Sequence, residues 1–390
     1  MSIRSYLHPP ALAAGFASVL IGYSSSAVIV FQAARAAGAS PEQIGSWMIA
    51  LGIGMGLTTL GLSWRYRMPI ITAWSTPGAA LLVTSLQGIS LAEAIGAFIF
   101  SAILITASGV SGWFERIMDR IPLPIAAAML AGILFQFGVD AFVALESRFM
   151  LVLAMFVVYL AAKKLVPRYT ILIVLSAGFL LCLFQGLLDF SGFGAALKPP
   201  QFVAPEFSWR ALIGVGIPLF VVTMVSQNIP GIAVLRTAGY AAPISTVISW
   251  TGIATLLLAP FGGFAINLAA ITAAICTGPE AHADASKRYV AGLSTGVFYL
   301  LLGIGGSAIA ALFSAFPTEF ILALAGLALL STIANSLYTA VADGQARDAA
   351  VITFVVTASG ISLFGIGAAF WGLVAGVIAT LVFNNKSKHT

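Results

Sequence analysis

The sequence predicts an all-α polytopic membrane protein: fourteen spans arranged as two inverted seven-span repeats, with short extended segments and half-helices in the third and tenth. Three observations predict it. Apolar composition runs through the whole chain, basic residues fall on one side, and the two halves share a faint duplication. Of 390 residues, 60% are hydrophobic and 8% charged, with a mean hydropathy of +1.05. Soluble domains carry about 25% charged residues, so residues 1–390 read as one membrane domain rather than a soluble protein with an anchor.

Apolar runs predict spans at 11–34, 43–62, 68–86, 91–113, 122–142, 149–164, 169–189, 209–235, 243–261, 262–277, 289–313, 317–338, 348–365 and 366–384. Most reach the roughly 20 residues a helix needs to cross about 30 Å of hydrocarbon. The third and tenth are short. None shows the alternation of barrel strands. The start "MSIRSYLHPP" lacks a signal peptide's apolar core and cleavage site, so the first span is expected to be retained. Cys182 and Cys276 sit in apolar runs without disulfide or metal spacing, and no cofactor or metal is expected.

Loop charge tests the span count. With a cytoplasmic N-terminus, 14 of the 18 basic residues fall inside. Arg35, Arg148, Lys198 and Arg210 fall outside. This asymmetry predicts that both termini are cytoplasmic. It also assigns the net charge of +5 to membrane orientation, so no nucleic-acid partner is expected.

The duplication lies in matched stretches. "SSSAVIVFQAARAAG" (24–38) aligns with "VSQNIPGIAVLRTAG" (225–239), and "MPIITAWSTPGAA" with "APFGGFAINLAAI". With seven spans per half, the second repeat (about 209–384) must be inverted relative to the first (about 11–189). Inverted repeats of this kind place a binding site near the membrane midplane.

The third span holds "WSTPGAA" at 74–80. Ser-Thr-Pro-Gly begins helices rather than continuing them. Its counterpart, the tenth span, carries Gly262-Gly263 before Asn267. Thr76 and Asn267 are expected as paired N-caps, with Pro77 at the first helical position. The alternative is a kink that only supports close packing. Non-helical backbone cannot face lipid, so such segments must be buried in protein or line a wet cavity. Two helix N-termini meeting there favour an anion, with Ser75, Thr76 and Asn267 as hydrogen-bond donors.

The first and eighth spans are also expected to be broken, at "GYSSSAV" (22–28) and at "SQNIPGI" (226–232), where Pro230 interrupts the helix. Ser25, Ser26, Gln227 and Asn228 are candidate ligands, with interhelical hydrogen bonding as the other reading for Gln227 and Asn228. Tyr23, Trp74 and Phe264 are candidates for an aromatic wall. All 13 acidic residues lie in loops or near span ends. Either Glu93, Asp140 or Asp348 reaches inward, or a titratable substrate carries its own proton. The three histidines, His8, His282 and His389, are terminal or in loops, which argues against an enzyme.

Whole stretches of the chain resemble one family. They include "GFASVLIGYSSSAVIVFQAARAAGAS" (15–40), "ITAWSTPGAALLVTSLQG" (71–88), "LPIAAAMLAGILFQFG" (123–138), "VTMVSQNIPGIAVLRTAGY" (222–240), "AAITAAICTGPEAH" (269–282), "LAGLALLSTIANSLY" (324–338) and "VTASGISLFGIGAAFWGLVAG" (356–376). On these the chain resembles the BenE-type benzoate:proton symporters of bacteria.

The resemblance implies a fold similar to the nucleobase and sulfate transporters, with a core from about 11–113 and 209–313 and a gate from about 122–189 and 317–384. It implies import of benzoate or a similar aromatic carboxylate with protons across the bacterial inner membrane, and a homodimer formed through the gate. A carrier of another small organic anion and a passive anion channel stand as alternatives. Nucleobase carriers place acids on spans 8 and 10. Here the matching positions hold Gln227 and Phe264 or Asn267, which argues against a nucleobase substrate.

Overall fold

The computed structural model describes residues 8–112, 122–189, 199–364, 366 and 368–384. The basic residues Arg4, Arg116, Arg120, Lys198, Lys386 and Lys388 lie outside the described residues, as does the side chain of Ser25.

Helix starts follow local chemistry. α1 (Pro9–Ala36) opens on prolines and bends by 42° between Ser24 and Ser26. In α2 (Pro41–Tyr66), Ser40 and Gln43 form a reciprocal capping box, which satisfies two otherwise orphaned donors. Ser90 and Glu93 do the same for α4 (Leu91–Val110). Between these lie strand β1 (Thr72–Trp74) and the ten-residue helix α3 (Thr76–Ser85). Helices α5 (Leu123–Ser147), α6 (Phe149–Leu165) and α7 (Thr170–Phe184) follow.

The second half opens with α8 (Trp209–Arg236) and α9 (Ile244–Leu258). Strand β2 (Ile266–Leu268) leads into α10 (Ile271–Thr277). Helices α11 (Tyr289–Ile304) and α12 (Gly306–Ser314) are separated by a 63° bend, and α13 (Thr318–Ala342), α14 (Arg347–Ala358) and α15 (Ala368–Asn384) complete the chain.

Among the described residues, six helices are long and apolar enough to cross a membrane, or up to eight if each bent pair is one span. The other predicted spans appear as shorter helices. Large apolar side chains such as Leu57, Ile103, Leu257, Leu301 and Leu381 are exposed. That pattern suits hydrocarbon rather than water as the surrounding medium.

One expectation needs correction. Pro230 does not break α8, which runs on through π-helical turns at Leu212–Gly216 and Met224–Asn228. The second π turn lies directly ahead of Pro230 and absorbs the backbone change that its missing N–H requires. α1, by contrast, bends by 42° at the serines, where the first span was expected to be broken, while its helical hydrogen bonding continues.

The two extended segments meet. β1 and β2 pair antiparallel, with Thr72 opposite Leu268, Ala73 opposite Asn267 and Trp74 opposite Ile266. The pairing extends at both ends, where Ser75 N–H donates to Ala265 O (3.0 Å) and Ala269 N–H to Ile71 O (2.9 Å). Backbone groups that the two-stranded ladder leaves unpaired find partners on neighbouring helices. Thr72 N–H donates to Thr59 Oγ1 on α2, and Ile266 N–H to Thr255 Oγ1 on α9, each at 3.0 Å. This is how non-helical backbone is kept inside an apolar bundle without orphaned amides.

Gly262 makes the turn into β2 possible. Its φ of +92° is open to glycine, and a Cβ there would collide with the Trp47 indole.

Candidate functional site

Around the strand crossing lies a cavity of about 840 Å³, within the roughly 300–1,000 Å³ usual for small-molecule sites. Its deep wall comes from α1, β1–α3, α8, the β2–α10 connection and α11. The facing wall comes from α5, α6, α7 and α13.

Six of the sequence candidates line it: Tyr23, Ser26, Trp74, Thr76, Pro77 and Gln227. Tyr23 and Trp74 meet edge to face, with ring centroids 4.7 Å apart. The Trp74 indole N–H donates to Ser26 Oγ (2.8 Å), and that hydroxyl donates onward to Gly22 O (2.8 Å). This chain fixes the indole plane against the cavity. Thr76, the first residue of α3, and Gln227, in the second π turn of α8, are half-buried on the wall.

The structure places four candidates elsewhere. Ser75, rather than Thr76, is the N-cap of α3; it is fully buried and accepts from Gly78 N–H (2.9 Å). Asn267 lies in the middle of β2, so it caps nothing. Its amide donates to Ala265 O (2.8 Å), and α10, with Ala270 at its N-cap position, has no side-chain cap. Asn228 is a buried tie whose Oδ1 accepts from Leu268 N–H (2.9 Å), which fits the interhelical reading. Phe264 is fully buried against Trp47 and Phe98, and it does not line the cavity.

Three cavity residues escaped sequence reasoning. Tyr299 on α11 stands with its ring 6.1 Å from that of Tyr23. Thr272 sits in the first turn of α10. At the other end, Lys163 of α6 donates to Ser331 Oγ of α13 (2.8 Å). A polar group inside an apolar run was the available signal for Tyr299 and Thr272, but single Tyr and Thr residues are too common in spans to stand out.

Two cavity hydroxyls, Tyr23 OH and Thr272 Oγ1, meet no partner at full hydrogen-bonding geometry although both residues are over nine-tenths buried, Tyr299 OH being the polar neighbour of Thr272. Leaving a buried hydroxyl unpaired costs about 1–3 kcal/mol by mutational measures. Of the acids considered for proton coupling, Glu93 is held by Ser90 in the α4 capping box and Asp140 accepts from Gln136 Nε2 (2.7 Å). Neither they nor Asp348 lines the cavity, whereas Glu280, in the loop after α10, does.

A sequence profile described as "BenE: Benzoate membrane transport protein" matches residues 5–382. The chain belongs to the BenE family. It is 52% identical over 378 residues to "Inner membrane protein YdcO" of Escherichia coli (strain K12), covering 96% of each chain. It is 43% identical over 369 residues to the "Benzoate membrane transport protein" of Acinetobacter baylyi, covering 95% of this chain and 94% of that one.

Solved structures agree on the fold. The structure titled "The overall structure of SLC26A9" superposes with a TM-score of 0.70 at 13% identity, over 98% of this chain and 66% of that one. The transmembrane domain of the cyanobacterial bicarbonate transporter BicA gives a TM-score of 0.61 at 13% identity, over 98% of both chains. The BenE chain is therefore a multi-pass membrane transporter, not an enzyme, on a fold shared with these proteins.

Proposed function

We propose that the protein is a secondary active carrier that imports benzoate or a similar aromatic carboxylate together with protons, by alternating access. The cavity is the observation that carries this reading. It pairs an aromatic edge, Trp74 against Tyr23, with hydroxyl and amide groups from Ser26, Thr76 and Gln227. Such a lining suits a flat ring bearing one small polar head, and the name of the Acinetobacter baylyi relative supports the substrate.

Fourteen spans in two inverted repeats, with both termini cytoplasmic, remain the topology of this proposal. Its best support is a matched detail: in each half, a threonine of the preceding helix receives the strand's backbone N–H, Thr59 for β1 and Thr255 for β2. In this scheme the core (about 11–113 and 209–313) carries the deep wall. The gate (about 122–189 and 317–384) carries the facing wall and forms the homodimer. Lys163 and Glu280, which basic-loop asymmetry assigns to the cytoplasmic side, line the cavity too, so the conformation is inward-open.

The test is uptake of labelled benzoate into proteoliposomes with and without an inward proton gradient, after subtracting passage of the neutral acid through protein-free lipid. Uphill accumulation that an ionophore collapses is expected. Uptake that saturates and shows counterflow with another organic anion, but not benzoate, would move the protein to that substrate. Flux without counterflow would make it a channel.

A further inference from the structure

We infer that the carboxylate end of the substrate is held by two cavity hydroxyls, one from each half of the chain, Tyr23 OH of α1 and Thr272 Oγ1 of α10, beside Tyr299 of α11. This rests on the reading of the cavity as an aromatic-carboxylate site, and it names the groups that recognise the charge.

Three observations converge. Tyr23 and Thr272 are 7% and 6% exposed, and each hydroxyl oxygen is buried without a partner, while both residues line the same cavity. Hydroxyls elsewhere in the bundle are mostly bonded back to their own helix, as Thr58, Thr106, Thr251, Thr295 and Thr353 are. The hydroxyls of Ser101, Thr223 and Thr357 are also unpartnered, but of these five only those of Tyr23 and Thr272 belong to residues that line the cavity, where a ligand acceptor could relieve them.

The residues are also brought together from three elements. A Cβ built on Gly22 of α1 would stand 3.4 Å from Thr272 Cγ2 and 3.6 Å from Tyr299 OH, so the glycine keeps this corner open. Lastly, Trp74 lies against the Tyr23 ring. A benzoate ring beside the indole would direct its carboxylate to the side of the cavity where Tyr23 and Thr272 stand. Hydroxyl donors bind a carboxylate without a buried cation, which accords with the absence of Arg, Lys or His from this end of the cavity among the described residues.

The experiment is equilibrium binding of labelled benzoate to the full-length protein in lipid nanodiscs. Tyr23→Phe and Thr272→Val each remove one hydroxyl and keep the shape, and each should weaken binding about tenfold, the usual scale for a hydrogen bond to a charged group. Thr272→Ser restores the hydroxyl and should restore affinity, which a purely structural role for the threonine methyl would not predict. The Val/Ser pair decides the matter even if Tyr23→Phe fails to fold. Wild-type affinity in Thr272→Val, with the wild type itself binding benzoate, overturns the inference and leaves the carrier reading intact. A wild type that binds no benzoate overturns the substrate reading, and this inference with it.

Discussion

The two broken segments that cross at the cavity floor satisfy their polar groups in different ways. β1–α3 caps its own helix, although its strand, like β2, places backbone N–H groups on a neighbouring helix: Thr72 N–H on Thr59 Oγ1 (3.0 Å) and Trp74 N–H on Met55 Sδ (3.1 Å), both of α2. Its helix is capped by its own Ser75, starts with Pro77 in its first turn, and runs for ten residues. Thr72 sits in a hydroxyl cluster with Thr58 (2.6 Å) and Thr59 (2.8 Å) of the adjacent α2. β2–α10 depends on outside help. Leu268 N–H needs Asn228 of α8, Ile266 N–H needs Thr255 of α9, and its helix has seven residues and no side-chain cap. It also leaves Asn267 Oδ1 and Thr272 Oγ1 without partners. The contrast lies in the half-helices: the one capped by its own serine is a fixed platform, and the uncapped one, beside open polar groups, is where a ligand has something to supply.

Substitutions can break that contrast, the largest expected first. Gly262→Ala places a methyl group on the Trp47 indole at a positive φ, on the dependent side. Overpacking and left-handed strain together should cost about 3–5 kcal/mol. A large fall in thermal unfolding midpoint checks it, and a neutral result would mean that the turn into β2 is not as tightly held as described. Asn228→Leu removes the acceptor for Leu268 N–H, and an unsatisfied buried amide costs about 1–3 kcal/mol. Unfolding in lipid and faster amide exchange at residues 266–268 would report it.

On the self-capped side, Ser75→Ala loses the cap of α3, worth about 1 kcal/mol. Because the β1 ladder and the α2 threonines remain, the same exchange measurement should show little change at β2. Equal sensitivity of the two segments would erase the contrast.

The first segment was legible in the sequence and the second was not, for a local reason. "WSTPGAA" carries its own punctuation, so the break, the half-helix and the buried extended stretch can all be read there. In "GGFAINLAA" the polar residue that resembles a cap, Asn267, sits in the strand, while the helix starts at Ile271 behind Ala270, an N-cap with no capping side chain. Pro230 misled for a similar reason. A π turn ahead of it leaves no trace in composition.

Family membership was legible from long shared stretches. Tyr299 and Thr272 were not, because what distinguishes them is missing hydrogen bonds and proximity to Tyr23 across distant segments. The separation of Phe264 from the cavity is likewise set by Trp47 and Phe98 from other helices.

The central claim is that an aromatic carboxylate occupies the cavity above the strand crossing. The most direct measurement is the rate at which a membrane-permeant maleimide labels Thr76→Cys, with and without benzoate. Thr76 is half-buried on the cavity wall, whereas both native cysteines, Cys182 and Cys276, are buried. The account predicts that benzoate slows labelling of Thr76→Cys in a saturable way and leaves the background unchanged. Labelling at the same rate under benzoate concentrations that saturate transport would contradict it and move the binding site elsewhere.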